Sequence, residues 1–207
     1  MSVLEIPEQI GAILLPDCTL FPQGALPLHI FEPRYREMLT EALEGDCLFC
    51  VARLTADEAT DTATCTAPIG TAALIRASRE LPDGRSHLVL HGIHRVHFRE
   101  WLPGRSYPYA RIEPVDFIPV PPPEVAHPTN RLREAIDKVL LGFPEKVVTQ
   151  VNGLLNRVSD VTMMADAIAQ QFVHEPDLRQ QLLEDPDVAS RIDLIVAHLQ
   201  SLRAGEN

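Results

Sequence analysis

The spacing of apolar residues changes once along this 207-residue chain. Up to about position 118, short apolar runs are separated by turn-forming residues, which is a strand pattern. Ile10–Leu15 and Leu26–Phe31 read as the first two strands. Pro33 then opens a helix to Leu43, because the first helical turn makes no use of the amide hydrogen that proline lacks. Arg34, Tyr35, Met38, Leu39, Ala42 and Leu43 follow at helical spacing, and Gly45 closes the helix. Glu32 sits where a carboxylate can accept orphan N–H bonds of that first turn. Cys47–Leu54 is short and apolar, as a buried strand is. Thr55–Pro68 has no period and reads as a loop. Ile69–Leu81 alternates, Pro82-Asp83-Gly84 is a turn, and Ser86–His91 pairs back across it. Ile93–Leu102 and Ala110–Phe117 continue the strand series.

Pro119-Val120-Pro121-Pro122-Pro123 interrupts this pattern, since successive prolines favour extended backbone and cannot donate to a sheet. Beyond it the period becomes about 3.6. Leu132, Ile136, Val139 and Leu140 share one helical face. Val147, Val151, Leu154, Leu155 and Val158 share another. Val161, Met164, Ala165, Ile168 and Phe172 share a third, with Asp160 placed as its N-cap. Asp185-Pro186 starts a last helix that buries Ile192, Ile195, Val196, Leu199 and Leu202. The expected organisation is a β-rich unit over 1–118, a proline-rich strap over 119–126 and a helical unit over 127–207.

Hydrophobic residues make up 45% of the chain, enough for a packed core. The formal net charge is −11, shared by both halves, and no basic patch is visible. This argues against nucleic acid, whose affinity comes mainly from Lys and Arg contacts to phosphate. It argues equally against an anionic membrane surface. No apolar run approaches the roughly 20 residues of a spanning helix, and the N-terminus has no basic region of the secretory kind. A cytoplasmic location is expected, with Cys18, Cys47, Cys50 and Cys65 as free thiols.

The phrase Pro27-Leu28-His29-Ile30-Phe31-Glu32-Pro33-Arg34-Tyr35, a strand running into a helix, resembles the signature of the Lon N-terminal domain family. That domain recognises substrates for ATP-dependent Lon proteases. Gly92-Ile93-His94-Arg95-Val96 resembles the family's second recurring block, and Gly70-Thr71-Ala72-Ala73 the strand before it. The likeness extends over about 10–202, in the helical half by pattern only. It implies an α+β fold: a PUA-like β pseudo-barrel with one inserted helix, followed by a C-terminal helical bundle. It also implies a domain that binds proteins, has no catalysis of its own and needs no cofactor.

The residues agree with a non-catalytic reading. A phosphate-cradling loop needs G-x-x-x-x-G-K-[ST], and neither Lys138 nor Lys146 lies in that context. No serine lies near either lysine in sequence, as a Ser–Lys dyad would suggest. The expectation is that the chain neither hydrolyses ATP nor cleaves peptides. The sharpest alternative is a metal-dependent hydrolase built on His87, His91, His94 and His97. As a strand, this run puts His87 and His91 on one face and His94 on the other, unless Gly92 resets the register. Cys47-x-x-Cys50 lacks the second pair of a zinc site. An RNA-binding module is suggested by the PUA-like fold alone and is opposed by the charge.

Protein binding needs an exposed apolar patch with a polar rim. Leu20–Leu26 is the first candidate, with Phe21, Pro22 and Leu26 as anchors; the competing role for Phe21 is to plug the barrel end. Phe31, Arg34 and Tyr35 flank the same junction, and contact with peptide competes there with fixing the helix against the barrel. Arg95 is open to pairing with Glu32 or Glu37. Met163 is the methionine left off the core stripe. The Pro119–Pro123 strap and the groove between the two halves are a second candidate. The partners expected are unfolded or client protein segments and a separate ATP-dependent protease.

Overall fold

The computed structural model describes residues 5–56, 62–121, 125–156 and 160–204. Pro122, Pro123 and Val158 of the sequence reading lie outside them. The chain divides into two compact units, residues 1–115 and 116–207.

The first unit holds β1 (Gln9–Pro16), β2 (Ala25–Ile30), α1 (Pro33–Glu44), β3 (Leu48–Leu54), α2 (Thr62–Cys65), β4 (Ile69–Glu80), β5 (Ser86–Trp101) and β6 (Tyr109–Pro114). The strand order is β2-β5-β4-β3-β1-β6, and β5 also pairs with β6. That extra pairing closes β1, β3, β4, β5 and β6 into a ring, with only β1–β3 parallel. Both faces of the central strands are covered, so their apolar runs are nearly continuous. Leu14, Cys50, Ala72, Val96 and Phe98 pack on one face. Ile13, Phe49, Val51 and Ile75 pack on the other with Tyr35, Met38 and Leu39 of α1.

Three local expectations are corrected. Ser86–His91 and Ile93–Leu102 are one strand, β5, rather than two. Gly92 lies inside it because the chain at Phe21 passes so close that a Cβ would stand 2.2 Å from the Phe21 carbonyl oxygen. The loop expected over Thr55–Pro68 contains the single turn α2. Glu32 precedes α1 without capping it. Its carboxylate instead accepts from Arg34, 3.0 Å from Nε and 2.9 Å from Nη2.

β2 lies outside the ring and pairs only with the first half of β5. Gly92 N–H donates to the Gly24 carbonyl at 2.9 Å, which sets the parity of this antiparallel ladder. Leu26, Leu28 and Ile30 bond to β5 and turn their side chains to the core. The backbone groups of Ala25, Pro27 and His29 point to the open edge. Pro27 thus stands where its missing N–H breaks no ladder bond.

The second unit holds α3 (Ala126–Val139), α4 (Glu145–Leu155), α5 (Val161–Phe172), α6 (Pro176–Glu184) and α7 (Val188–Ala204). Asp160 caps α5, its Oδ1 accepting from Met163 N–H at 3.0 Å. α7 starts later than Asp185-Pro186 suggests: Asp187 accepts from Ala189 and Ser190 N–H. Ile118 N–H donates to Pro186 and its carbonyl accepts from Val188, so the chain joins this unit a few residues before position 119. Among the described residues, no helix is long and apolar enough to cross a membrane.

The four cysteines are free, Cys50 and Cys65 buried, Cys18 and Cys47 half-buried. Burial pushes the Cys50 thiol far above its ordinary range. A maleimide at neutral pH is expected to label Cys18 and Cys47 in the native protein, and all four only in denaturant. Adduct counting by mass spectrometry checks this.

Candidate functional site

β2, the first half of β5 and the second half of β4 form a three-stranded arm. Its inner face carries Ile30, Leu88, Leu90 and Ile75 into the core. Its outer face is set by register. Pro27 lies opposite Val89, and Val89 opposite Ala77. Two positions along, His29 lies opposite His87, and His87 opposite Arg79. All six side chains are exposed. The His29 and His87 rings stack at 4.7 Å, and Phe31 extends the face with its ring 5.9 Å from His29. Together the two cross-strand rows line a shallow groove of about 430 Å³. Phe31 is 59% exposed and Val89 37%, so the groove joins an apolar patch of the kind that binds partners.

The residues expected to bind separate by depth. Phe21 is completely buried, with the Arg95 guanidinium 5.9 Å from its ring centroid, and is no surface anchor. Pro22 is buried beside it and Leu26 is half-buried against the core. Tyr35 is buried too, its hydroxyl accepting from Leu14 N–H at 3.2 Å. Arg34 lies 4.6 Å above the Tyr35 ring and holds Glu32, so it packs the helix entry. Glu37 accepts from Ser106. Of the junction residues only Phe31 stays on the open face. Met163 is exposed, on α5 of the helical unit.

The chain matches the family model described as the ATP-dependent protease La (LON) substrate-binding domain over residues 10–201. It belongs to that family. It is 26% identical over 192 residues to a Lon protease of Trichlorobacter lovleyi, covering 91% of this chain and 23% of the relative. It is 27% identical over 206 residues to a Lon protease of Vibrio parahaemolyticus, covering 96% of this chain and 25% of the relative. The chain thus spans about a quarter of the length of these relatives. The fold is similar to the N-terminal domain of a Mycobacterium avium complex Lon protease, with a TM-score of 0.74, 16% identity and coverage of 93% of this chain and 98% of that one. A Lon N-terminal domain protein from Xanthomonas campestris gives a TM-score of 0.61 at 17% identity, over 91% of this chain and 97% of that one. The α+β architecture is therefore that of the Lon N-terminal domain, the substrate-binding and non-catalytic part of these proteases.

Within this Lon-type domain the histidine run does not converge. A bulge at Ile93 shifts the register of β5. His87 stacks on His29, while His94 Nδ1 lies 2.8 Å from the Arg95 carbonyl oxygen. Burial, then the Arg76 charge, lowers the His91 pKa; burial, then Arg99, lowers that of His97. Among the described residues no group of three or more His, Cys, Asp or Glu is placed to hold a metal. The metal-hydrolase reading of His87, His91, His94 and His97 loses its geometry.

A smaller cleft of about 190 Å³ lies between α1 and the loop before β6. Three of its polar groups pair with one another. Glu41 accepts from Tyr107 at 2.7 Å and from Arg105, and Arg105 lies 4.8 Å from the Tyr109 ring centroid. The Tyr107 hydroxyl, then Arg105, keeps the Glu41 carboxyl below its ordinary range. This set clasps the loop to α1 and leaves the outer face of the arm as the better candidate surface.

Proposed function

We propose that this Lon-type domain recognises exposed apolar segments of unfolded or client proteins and delivers them to ATP-dependent proteolysis, acting as an adaptor for a separate protease. The observation that carries this is the open arm: Phe31, Val89, Pro27 and Ala77 form an exposed apolar surface at the face of a sheet. Removing such side chains from water on binding is favourable by roughly 25 cal/mol per Å² of apolar surface. Family membership supports substrate recognition as the role; the adaptor activity and the nature of the clients are the proposed part.

The test is light scattering of a heat-unfolded model protein mixed with the purified chain. The wild type is expected to delay aggregation. Val89→Asp places a charge in the apolar row and is expected to raise the concentration needed by about tenfold, equivalent to about 1.4 kcal/mol. Equal curves with and without the wild-type chain would overturn recognition of unfolded segments.

A further inference from the structure

The outer face of the arm also has a charge pattern, and the reading of it that follows rests on the protein-binding function proposed above. The chain has 29 acidic and 18 basic residues. Of the arginines near the arm, Arg34 is neutralised by Glu32 and Arg85 by Asp83. Arg36, Arg76 and Arg79 have no carboxylate within ion-pair distance among the described residues, and of these three Arg79 lines the groove. No Asp or Glu among the described residues lines the groove. The field of an acid-free groove rimmed by an unneutralised guanidinium favours an anionic group.

Register gives this field a spacing. Pro27, Val89 and Ala77 make an apolar row across three strands, and His29, His87 and Arg79 make a polar row two residues further along each. Two residues of strand advance roughly 6.6 Å. An extended peptide has the same repeat: its side chains at positions i and i+2 lie on one face, roughly 6.6 Å apart. An extended segment lying along the strands can therefore set an apolar side chain on Pro27, Val89 and Ala77. The side chain two positions away then falls over His29, His87 and Arg79.

We infer that the groove selects extended protein segments carrying an apolar side chain and a carboxylate two positions apart. Arg79 receives the carboxylate, with the imidazole N–H groups of His29 and His87 as further donors. Apolar contact gives affinity, and Arg79 gives the preference among apolar segments.

Fluorescence anisotropy with labelled ten-residue peptides tests this. Three of the peptides differ at one position only, reading Leu-x-Glu, Leu-x-Gln or Leu-x-Lys, and a fourth moves the Glu one residue on, to Leu-x-x-Glu. In low salt the Leu-x-Glu peptide is expected to bind about three- to tenfold more tightly than Leu-x-Gln, and Leu-x-Lys more weakly than either. The gain should shrink in 0.5 M salt, where screening acts within roughly 4–5 Å. Leu-x-x-Glu turns its carboxylate to the opposite face and should lose the gain. Arg79→Glu, at an exposed site, should reverse the order of the Glu and Lys peptides. If all four peptides bind the wild type equally, or Arg79→Glu leaves the order unchanged, charge selection is wrong while apolar recognition stands. If no peptide binds, both fall together.

Discussion

Arg191→Ala is expected to lower the stability of the helical unit by about 3–5 kcal/mol, the cost of breaking a buried ion pair from one side. Arg191 on α7 donates from Nη1 to Asp166 Oδ1 on α5 at 2.8 Å, and both side chains are almost wholly inaccessible. The guanidinium also lies 5.1 Å from the Phe117 ring centroid. Truncation removes this charge-assisted bond and opens a cavity, while the Asp166 carboxylate stays buried. The double variant Arg191→Met, Asp166→Leu is expected to recover most of the loss, because a desolvated pair returns little more than its desolvation costs. Urea unfolding followed by circular dichroism, dominated by helices α3 to α7, measures both. A loss below about 1 kcal/mol for the single variant would mean that the pair is solvated.

Gly92→Ala acts on the other unit and through the backbone. The added Cβ would meet the Phe21 carbonyl oxygen at 2.2 Å and its carbon at 3.0 Å. Main chain cannot rotate aside as a side chain can. The 19–24 segment must lift, weakening the Gln23 N–H bond to the Gly92 carbonyl and the Gly92 N–H bond to Gly24. Each bond contributes about 0.5–1.5 kcal/mol, and overpacking costs about 1–3 kcal/mol. A loss of about 3 kcal/mol is expected. Trp101, the single tryptophan, stacks on Phe98 at 4.9 Å within the barrel and reports this unit. Its fluorescence transition should move to lower urea in Gly92→Ala. An unchanged midpoint would show that the segment is not docked against β5.

Strand and helix positions were legible because period and punctuation are local. Leu26–Phe31, Pro33 and Gly45 mark β2 and α1 within a residue or so. α6 escaped the pattern because its buried face includes Gln180 beside Leu182 and Leu183, too few apolar positions to stand out. The candidate surface was legible only in part. Phe31 was visible, and the alternation of Pro27, His29 and Phe31 was present in the motif itself. Val89, Ala77 and Arg79 were not, because Pro27 and His29 reach them only through the β2–β5 pairing, which joins residues about 60 positions apart. Phe21 and Tyr35 look like surface anchors in sequence. Their burial depends on the docking of the 19–24 segment and of α1, which no local pattern encodes.

The outward parity of Pro27 bears on a hazard of handling sticky chains. An open strand edge offers a ladder of donors on which a captured segment can add as another strand, and further segments on that one, until a fibre grows. On the outer edge of β2, Pro27 removes the middle donor and leaves those of Ala25 and His29 four residues apart. A segment can rest on the face of the arm by its side chains, but the edge is a poor template for sheet growth. On the proposed function, a domain built this way would hold an aggregation-prone chain without seeding the aggregate.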